Sequence, residues 1–142
     1  MAGAARPPGA GGGRRGAVSA LCLAGGAELV RVAATVFTLA WTHTIEKVPW
    51  QEDWRIEGAD LRLVEVRIKG SGAGMEPAPD ARLENGFYTW NPADDRRDRL
   101  VLRRSPAPGV GDWSLCVAGA CRELGEIVGA DADPVTLAPC PD

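Results

Sequence analysis

Apolar and polar residues alternate with a period of two through three consecutive runs of this chain. The runs cover residues 37–46, 50–56 and 61–68, with only short interruptions between them. Alternation of this kind predicts strands that bury one face. The short interruptions predict that the three strands form an antiparallel meander, from Phe37 to Lys69, around which the core is built.

Shorter strands are predicted on both sides of the meander. Glycine, proline and asparagine separate them, and no stretch has the 3.6-residue period of an amphipathic helix. These strands cover residues 18–23, 28–32, 87–90, 100–102, 113–117, 120–124 and 135–137. About nine short strands predict a single-domain, all-β antiparallel sandwich or barrel over residues 18–142, with helical turns possible only near residues 124–128.

Three segments lack any strand pattern. Residues 1–17 are rich in Gly, Pro and Arg and predict a flexible tail. Residues 70–86 predict a long loop, and the charged residues 94–98 predict a turn. Two interpretations of residues 14–32 stay open: a secretory signal that begins at Arg14-Arg15, or a strand, a Gly25-Gly26 turn and a return strand.

Matching apolar residues to one face suggests a register for the meander. A hairpin centred on Lys47-Val48 would set Trp41 opposite Trp54 and His43 opposite Glu52. A second hairpin at Gly58-Ala59 would set side chains of the second strand beside those of the third. Those predicted pairs are Ile56 with Leu61, Trp54 with Leu63, Glu52 with Glu65, and Trp50 with Arg67.

This register predicts a polar row of His43, Glu52 and Glu65 beyond the apolar part of the face, with Arg67 beside Trp50. Two carboxylates and an imidazole in contact would couple their protonation, and Arg67 would offset their charge. The row is either a self-satisfied rim of the core or a site for a small polar or anionic ligand. A divalent cation held by the His and the two Glu is a third, weaker interpretation, so we predict neither a metal nor a cofactor.

The four cysteines allow two disulfides. If Ala118-Gly119 is a two-residue hairpin turn, Cys116 and Cys121 face each other in a non-hydrogen-bonded pair, where side chains are close enough to bond. Cys22 and Cys140 could tie the two ends of the domain together. Four buried, reduced cysteines are the alternative.

Composition excludes two classes of partner. The formal charge of -3 and the scattered arginines provide no basic surface for nucleic acid. No apolar run approaches the roughly 20 residues that span a bilayer, so no transmembrane segment is predicted. The compartment stays open: cysteine pairing favours the periplasm or cell envelope, and the absence of a signal would mean the cytoplasm.

Two motifs in order resemble the bacterial family of domains of unknown function numbered 1850. They are Trp41-Thr42-His43-Thr44-Ile45-Glu46-Lys47 with Pro49-Trp50-Gln51-Glu52-Asp53-Trp54, and Lys69-Gly70-Ser71-Gly72-Ala73-Gly74-Met75. The resemblance implies a bacterial accessory protein of the cell envelope, encoded beside tripartite solute transporters that use an extracytoplasmic receptor. It implies no reaction.

The candidate ligand-binding residues combine the polar row with the glycine-rich segment after it. They are His43, Glu46, Trp50, Glu52, Glu65, Arg67, Lys69, Gly70, Ser71, Gly72, Ala73, Gly74 and Met75. Residues 70–74 are either an anion-binding nest of backbone N–H groups or a tight bend that needs positive φ.

Three functions compete at this point. The first is a non-enzymatic accessory or ligand-binding domain, whose partners would be transporter subunits or a small organic anion. The second is a hydrolase in which Ser71 is the nucleophile, His43 the base and Glu52 or Glu65 the orienting acid. The third is a purely structural interaction domain.

Overall fold

The computed structural model describes residues 19–42, 49–69, 76–104 and 112–141. The predicted tail, 1–17, and most of the predicted glycine-rich site segment lie outside these residues. The strands described are β1 (Ala20–Gly25), β2 (Glu28–Ala33), β3 (Val36–Thr42), β4 (Pro49–Glu57), β5 (Asp60–Ile68), β6 (Arg82–Glu84), β7 (Phe87–Trp90), β8 (Asp95–Arg97), β9 (Leu100–Leu102), β10 (Ser114–Val117), β11 (Ala120–Glu123) and β12 (Val135–Pro139). A single described helix, α1 (Leu124–Val128), lies where helical turns were predicted.

The strands form two antiparallel sheets. The large sheet has the order β11-β10-β3-β4-β5-β7-β6, and β8 also pairs with β5. The small sheet has the order β9-β12-β1-β2. The all-β antiparallel prediction is confirmed, and the described strands form two packed sheets rather than a closed barrel.

One face of each sheet builds the core, as the alternating pattern predicts. We call the face of the large sheet that points into this core its inner face, and the opposite one its outer face. The buried side chains from both sheets and α1 form one cluster, which removes their apolar surface from water. They are Leu21, Leu23, Phe37, Leu39, Trp54, Ile56, Leu61, Leu63, Val66, Leu100, Leu115, Leu124, Val128, Ala132, Val135 and Leu137.

Both predicted disulfides are present. Ala118 and Gly119 have φ of 52° and 83°, as a tight hairpin turn requires, and Cys116 lies opposite Cys121. Their sulfurs are 2.03 Å apart. Cys22 is bonded to Cys140 across a sequence separation of 118 residues, which joins β1 to the end of β12. A covalent loop of that length restricts the unfolded chain and stabilises the fold by about 4–5 kcal/mol in the chain-entropy model.

A partly buried ion pair between Arg104 and Asp112 fixes the start of β10. Both carboxylate oxygens of Asp112 accept hydrogen bonds from Arg104 at 3.0 Å, and they also accept the backbone N–H groups of Trp113 and Gly125. Burial alone would raise the pKa of Asp112, but these hydrogen bonds and the guanidinium charge lower it. A Cβ on Gly125 would lie 2.8 Å from Arg104 Nη2, so glycine is needed for this close approach.

Two strands were not predicted. β6 lies within the predicted loop 70–86, and β8 lies within the predicted charged turn 94–98. Both are three residues long and carry charged side chains that lie largely in water. Such strands have no apolar alternation, because they complete a sheet edge without contributing to the core.

Candidate functional site

The first hairpin of the meander has a different register from the predicted one. Trp41 lies opposite Trp50, and Phe37 lies opposite Trp54. The predictions of Trp41 opposite Trp54 and of His43 opposite Glu52 are therefore wrong, because Glu52 lies opposite Leu39. Each β4 residue pairs with a β3 residue four positions before the predicted one. A shift by an even number of residues leaves every side chain on its original face, so face matching alone could not separate the two registers. The observed register gives Phe37 a buried partner, which the predicted one did not.

The second hairpin has the predicted register only in its first half. Ile56 pairs with Leu61 and Trp54 with Leu63, as predicted, but Asp53 then pairs with Glu65. Val64 is therefore an extra residue in β5, a β-bulge, and Asn91 donates a hydrogen bond from Nδ2 to its carbonyl at 2.9 Å.

The bulge exchanges the faces of the residues that follow it. Val66 and Ile68 point into the core, at 3% and 0% exposure, whereas Glu65 and Arg67 point to the outer face. The predicted pairs of Glu52 with Glu65 and of Trp50 with Arg67 are therefore wrong. The sequence signal for this bulge was the pair of adjacent apolar residues Leu63 and Val64. The buried positions of β5 are odd-numbered up to Leu63 and even-numbered after it, so the alternation breaks there.

Arg67 is the centre of a polar network on the outer face. It donates to both carboxylate oxygens of Asp53, at 2.7 and 2.9 Å, and to Gln51 Oε1 at 2.9 Å. Glu65 accepts a further hydrogen bond from Nη1, and Thr38 donates to Asp53 Oδ1 at 2.7 Å. The guanidinium is thus held by partners on β4 and β5, and Asp53 extends the network to Thr38 on β3.

This network holds Asp53 and Arg67 in their charged forms. Burial alone would raise the pKa of Asp53, but hydrogen bonds from Arg67 and Thr38 and the guanidinium charge lower it below its ordinary value. The hydrogen bond to Asp53 raises the pKa of Arg67 against its desolvation, and Glu65 adds to that effect. The ion pair is therefore a structural link between β4 and β5.

Glu52 occupies the inner face one residue away. Its Oε2 accepts a hydrogen bond from Trp50 Nε1 at 2.8 Å, and its Oε1 accepts one from Trp54 Nε1 at 3.0 Å. Its cross-strand partners are the buried Leu39 and Val66. A carboxylate on an apolar face needs such donors, and two indoles of its own strand supply them.

Four partly exposed tryptophans surround this end of the inner face: Trp41, Trp50, Trp90 and Trp113, which we call the tryptophan cluster. Trp41 and Trp113 stack with ring centroids 5.9 Å apart, and Trp41 lies opposite Trp50. Trp50 meets Trp90 edge to face at 6.3 Å and 80°. Rings from four separate segments of the chain therefore form one aromatic surface at the margin of the core.

The predicted site residues divide among three locations. Trp50 and Glu52 lie on the inner face, where Trp50 is part of the tryptophan cluster. Glu65 and Arg67 lie on the outer face. Lys69 is exposed just after β5, with Nζ 5.8 Å from the centre of the Phe87 ring. The others lie outside the described residues: His43, Glu46, Gly70, Ser71, Gly72, Ala73, Gly74 and Met75.

Three segments outside the described residues adjoin described residues near the tryptophan cluster. Segment 43–48 follows β3 immediately after Thr42, segment 70–75 follows Lys69, and segment 105–111 ends just before Asp112 and Trp113. Trp50 pairs with Ile68 at this end of the large sheet. Thr42 pairs with Pro49, whose carbonyl accepts the Lys69 N–H, so Thr42 and Lys69 lie at the same end of the sheet as the cluster.

Three members of the cluster were not predicted as site residues: Trp41, Trp90 and Trp113. Trp90 and Trp113 lie at ends of predicted strands and Trp41 lies within one, and alternation places a side chain on the buried face but gives no measure of how well it is covered. Tryptophans at several strand ends were the available signal, since large rings at a margin of the core stay partly exposed.

Two hollows lie elsewhere. An open groove of about 430 Å³ on the outer face is lined by Thr38, Gln51, Asp53 and the Cys116 side of the disulfide hairpin. An open cleft of about 570 Å³ lies between the Gly58-Ala59 turn and the Cys140 end of β12. Neither contains a residue of the tryptophan cluster.

Two features are absent from the described residues. Within them, no group of three or more His, Cys, Asp or Glu side chains is placed to hold a metal ion. The described part of the chain likewise contains no helix that is long and apolar enough to cross a membrane.

Comparison with known proteins identifies a family and no individual relative. No curated protein and no solved structure matches the chain. The family model described as "Domain of unknown function (DUF1850)" matches residues 37–124, which extend from β3 to the start of α1 and include Glu52 and the whole tryptophan cluster. This chain therefore belongs to the DUF1850 family.

Proposed function

We propose that this protein is a non-enzymatic accessory domain of a bacterial solute-uptake system and that it binds a small organic ligand on the tryptophan cluster. The observation that carries the proposal is the group of four partly exposed indoles, one of which, Trp50, donates its N–H to Glu52. Exposed aromatic surface costs free energy in water, and covering it with a ligand recovers that free energy. A rigid sheet is also a precise support for such a site.

The described acidic groups support binding rather than catalysis. Glu52 is held by two indole N–H groups, Asp53 and Glu65 are held by Arg67, and Asp112 is held by Arg104. A general acid or base must exchange a proton with a substrate, and carboxylates that are fixed by internal donors are poorly suited to that task.

The location of the protein is part of the proposal. Two disulfides favour an oxidising compartment, which for a bacterial protein is outside the cytoplasm. The resemblance to proteins encoded beside tripartite transporters suggests the role: an envelope domain that acts with the solute receptor or with the membrane subunits.

Two experiments test this function together. Intrinsic fluorescence of the purified, oxidised protein is titrated with a panel of small organic cations, organic anions and sugars, since four of the five tryptophans lie in the cluster. The protein is also co-expressed with the receptor and membrane subunits of a tripartite transporter from the same genome. Saturable quenching by a panel member, together with association, is expected. The absence of both effects would exclude the proposal.

The hydrolase interpretation receives a separate test. A fluorophosphonate probe labels an activated serine covalently. We expect no labelling at Ser71 under conditions in which a serine esterase added as a control reacts fully. Labelling that disappears in Ser71→Ala would replace the binding proposal by an enzymatic one.

A further inference from the structure

The tryptophan cluster has the electrostatic character of a site for a cation. Glu52 is the charged side chain among the inner-face residues at positions 39, 41, 50, 52, 66 and 68 of the three central strands. Arg67 faces the other side of the sheet, where two carboxylates and Gln51 use its donors. A ligand on the cluster therefore meets a negative charge that no neighbouring cation on these strands offsets.

The nearest inner-face cation in the same cross-strand row is remote. Arg122 pairs with Leu115, whose own partner is Leu39, the partner of Glu52. Three strand spacings, about 14 Å, separate Arg122 from Glu52. Arg122 also donates a hydrogen bond to the Glu126 carbonyl. At that distance its effect is strongly reduced by salt and water.

The rings add to this preference for a cation. Indole faces carry the negative part of the ring quadrupole and attract ammonium groups, more strongly than the other aromatic side chains do. Trp50 donates its N–H to the Glu52 carboxylate, which increases the electron density of its ring. Trp90 meets Trp50 at 80°, so two rings stand at nearly a right angle, and the Trp50 ring is the one bonded to the carboxylate.

We infer that the tryptophan cluster together with Glu52 binds an organic ammonium cation, with the methylated or alkylated nitrogen against the rings of Trp50 and Trp90. This inference rests on the proposed function, because it names the ligand class of the same surface. Alkylated ammonium groups suit the site best, since they are weakly hydrated and cover apolar rings while keeping their charge near the carboxylate. The small organic anion expected from the sequence would be repelled by Glu52.

The test compares three probes on the intact, oxidised protein. Choline carries the trimethylammonium group, 3,3-dimethyl-1-butanol has the same shape without the charge, and succinate is a small organic anion. Tryptophan fluorescence and calorimetry measure the Kd of each. Choline is expected to bind about fivefold or more tightly than its neutral isostere, which is the discrimination of one partly exposed cation–π contact, and succinate is expected not to bind.

Two variants locate the effect. Glu52→Gln removes the charge in nearly the same volume and should weaken choline binding about fivefold while leaving the neutral isostere unchanged. Glu84→Gln, which removes a carboxylate from the exposed edge strand β6 of the same sheet, should leave both unchanged. Tryptophan circular dichroism in the near ultraviolet confirms that each variant is folded.

The outcomes separate the inference from the function on which it rests. If the neutral isostere or succinate binds as tightly as choline, the cluster is a ligand site but the cation inference is wrong. If choline binds equally well to the parent chain and to Glu52→Gln, the carboxylate has no part in recognition and the inference is also wrong. If none of the three probes, and no member of the wider panel, changes the fluorescence, the proposed function fails as well.

Discussion

On the two faces of strand β4, neighbouring carboxylates are held by different kinds of hydrogen-bond donor. Glu52, on the inner face, accepts hydrogen bonds from two neutral indoles of its own strand. Asp53, on the outer face, accepts them from a guanidinium on β5 and a hydroxyl on β3. Asp53 therefore joins three strands, whereas Glu52 satisfies donors on one strand and keeps its negative charge without a cationic partner from those contacts.

The difference shows how one strand can divide structural and binding roles. Charged hydrogen bonds across strands hold the sheet in register, and their energy is used within the fold. A carboxylate held only by neutral donors keeps a negative charge that can attract a cationic ligand. The bulge at Val64 creates this division, because it sets Val66 on the inner face and Arg67 on the outer one.

Deletion of Val64 should have the largest effect. Without the bulge, either Glu65 and Arg67 turn into the core, or Val66 and Ile68 leave it. Loss of those two buried side chains costs about 3–6 kcal/mol in the free energy of unfolding, enough to unfold many domains of this size. Urea denaturation followed by circular dichroism measures the loss.

A substitution at the same position is the control. Val64→Ala keeps the residue count and the carbonyl that Asn91 binds, so a change below about 1 kcal/mol is expected. A deletion variant as stable as the parent chain would mean that the bulge does not determine which side chains face the core.

Arg67→Met should have the next largest effect. It leaves Asp53 and Glu65 close together without their cation, in a network whose side chains are between 21% and 34% exposed. Removal of one partner from a fully buried pair costs 3–5 kcal/mol, so partial exposure reduces the expected loss to about 2–3 kcal/mol.

The matched variant is Arg62→Met on the same strand, where the exposed guanidinium contacts Glu57. Exposed pairs contribute little, so its loss should stay below about 1 kcal/mol. Equal losses in urea for the two variants would contradict a structural role that is specific to Arg67.

Prediction from the sequence succeeded for the order of the central strands and stopped at their register. Alternation located β3, β4 and β5, their mutual order and the hairpin at Gly58-Ala59. It could not fix the register of β3 against β4, because shifts by two residues keep the same faces. A single extra residue at Val64 then moved Glu65 and Arg67 to the other side.

The candidate site was predicted in part for the same reason. Trp50 and Glu52 were identified because they interrupt or border an apolar face. Trp90 and Trp113 come from segments about 40 and 60 positions further along the chain, and their approach depends on strand order across the whole sheet. Local patterns contain no information about such long-range neighbours. His43 and Ser71 lie outside the described residues, so their roles stay predictions.

Acid should weaken the outer face in a way that depends on Asp53. Its pKa is lowered in the folded protein, so its contribution is fully present above the unfolded-state pKa of about 3.9 and is lost as the pH falls through the lower folded value. Asp53→Asn should lose stability less steeply than the parent chain between about pH 4 and pH 2, by about 1 kcal/mol after allowance for solvent screening.

The control removes an exposed aspartate, in Asp80→Asn, and should follow the parent curve. Urea titrations at a series of pH values give both slopes. Parallel curves for Asp53→Asn and the parent chain would show that the ion pair with Arg67 does not contribute to stability.

Glu52→Gln should have the smallest effect on stability. The amide oxygen can accept from one indole N–H, so the other loses its acceptor at a cost of about 1 kcal/mol. Trp54 is 3% exposed, whereas the half-buried Trp50 can turn to water. Hydrogen exchange of the two indole N–H groups by NMR should therefore accelerate more at Trp50.

The control for that experiment is Glu84→Gln, in which both indole exchange rates should stay at the parent values. Slow exchange of both indoles in Glu52→Gln would mean that packing, rather than the carboxylate, shields these N–H groups.

The Cys22–Cys140 bond has a mechanical consequence. It connects the first strand of the domain to the residue after its last strand. Tension applied between a segment upstream of Cys22 and one downstream of Cys140 would pass through this covalent shortcut and bypass both sheets and the tryptophan cluster. An oxidised domain would thus transmit pulling force without unfolding and lengthening, whereas the reduced domain would have to resist the same force with its hydrogen bonds and core packing.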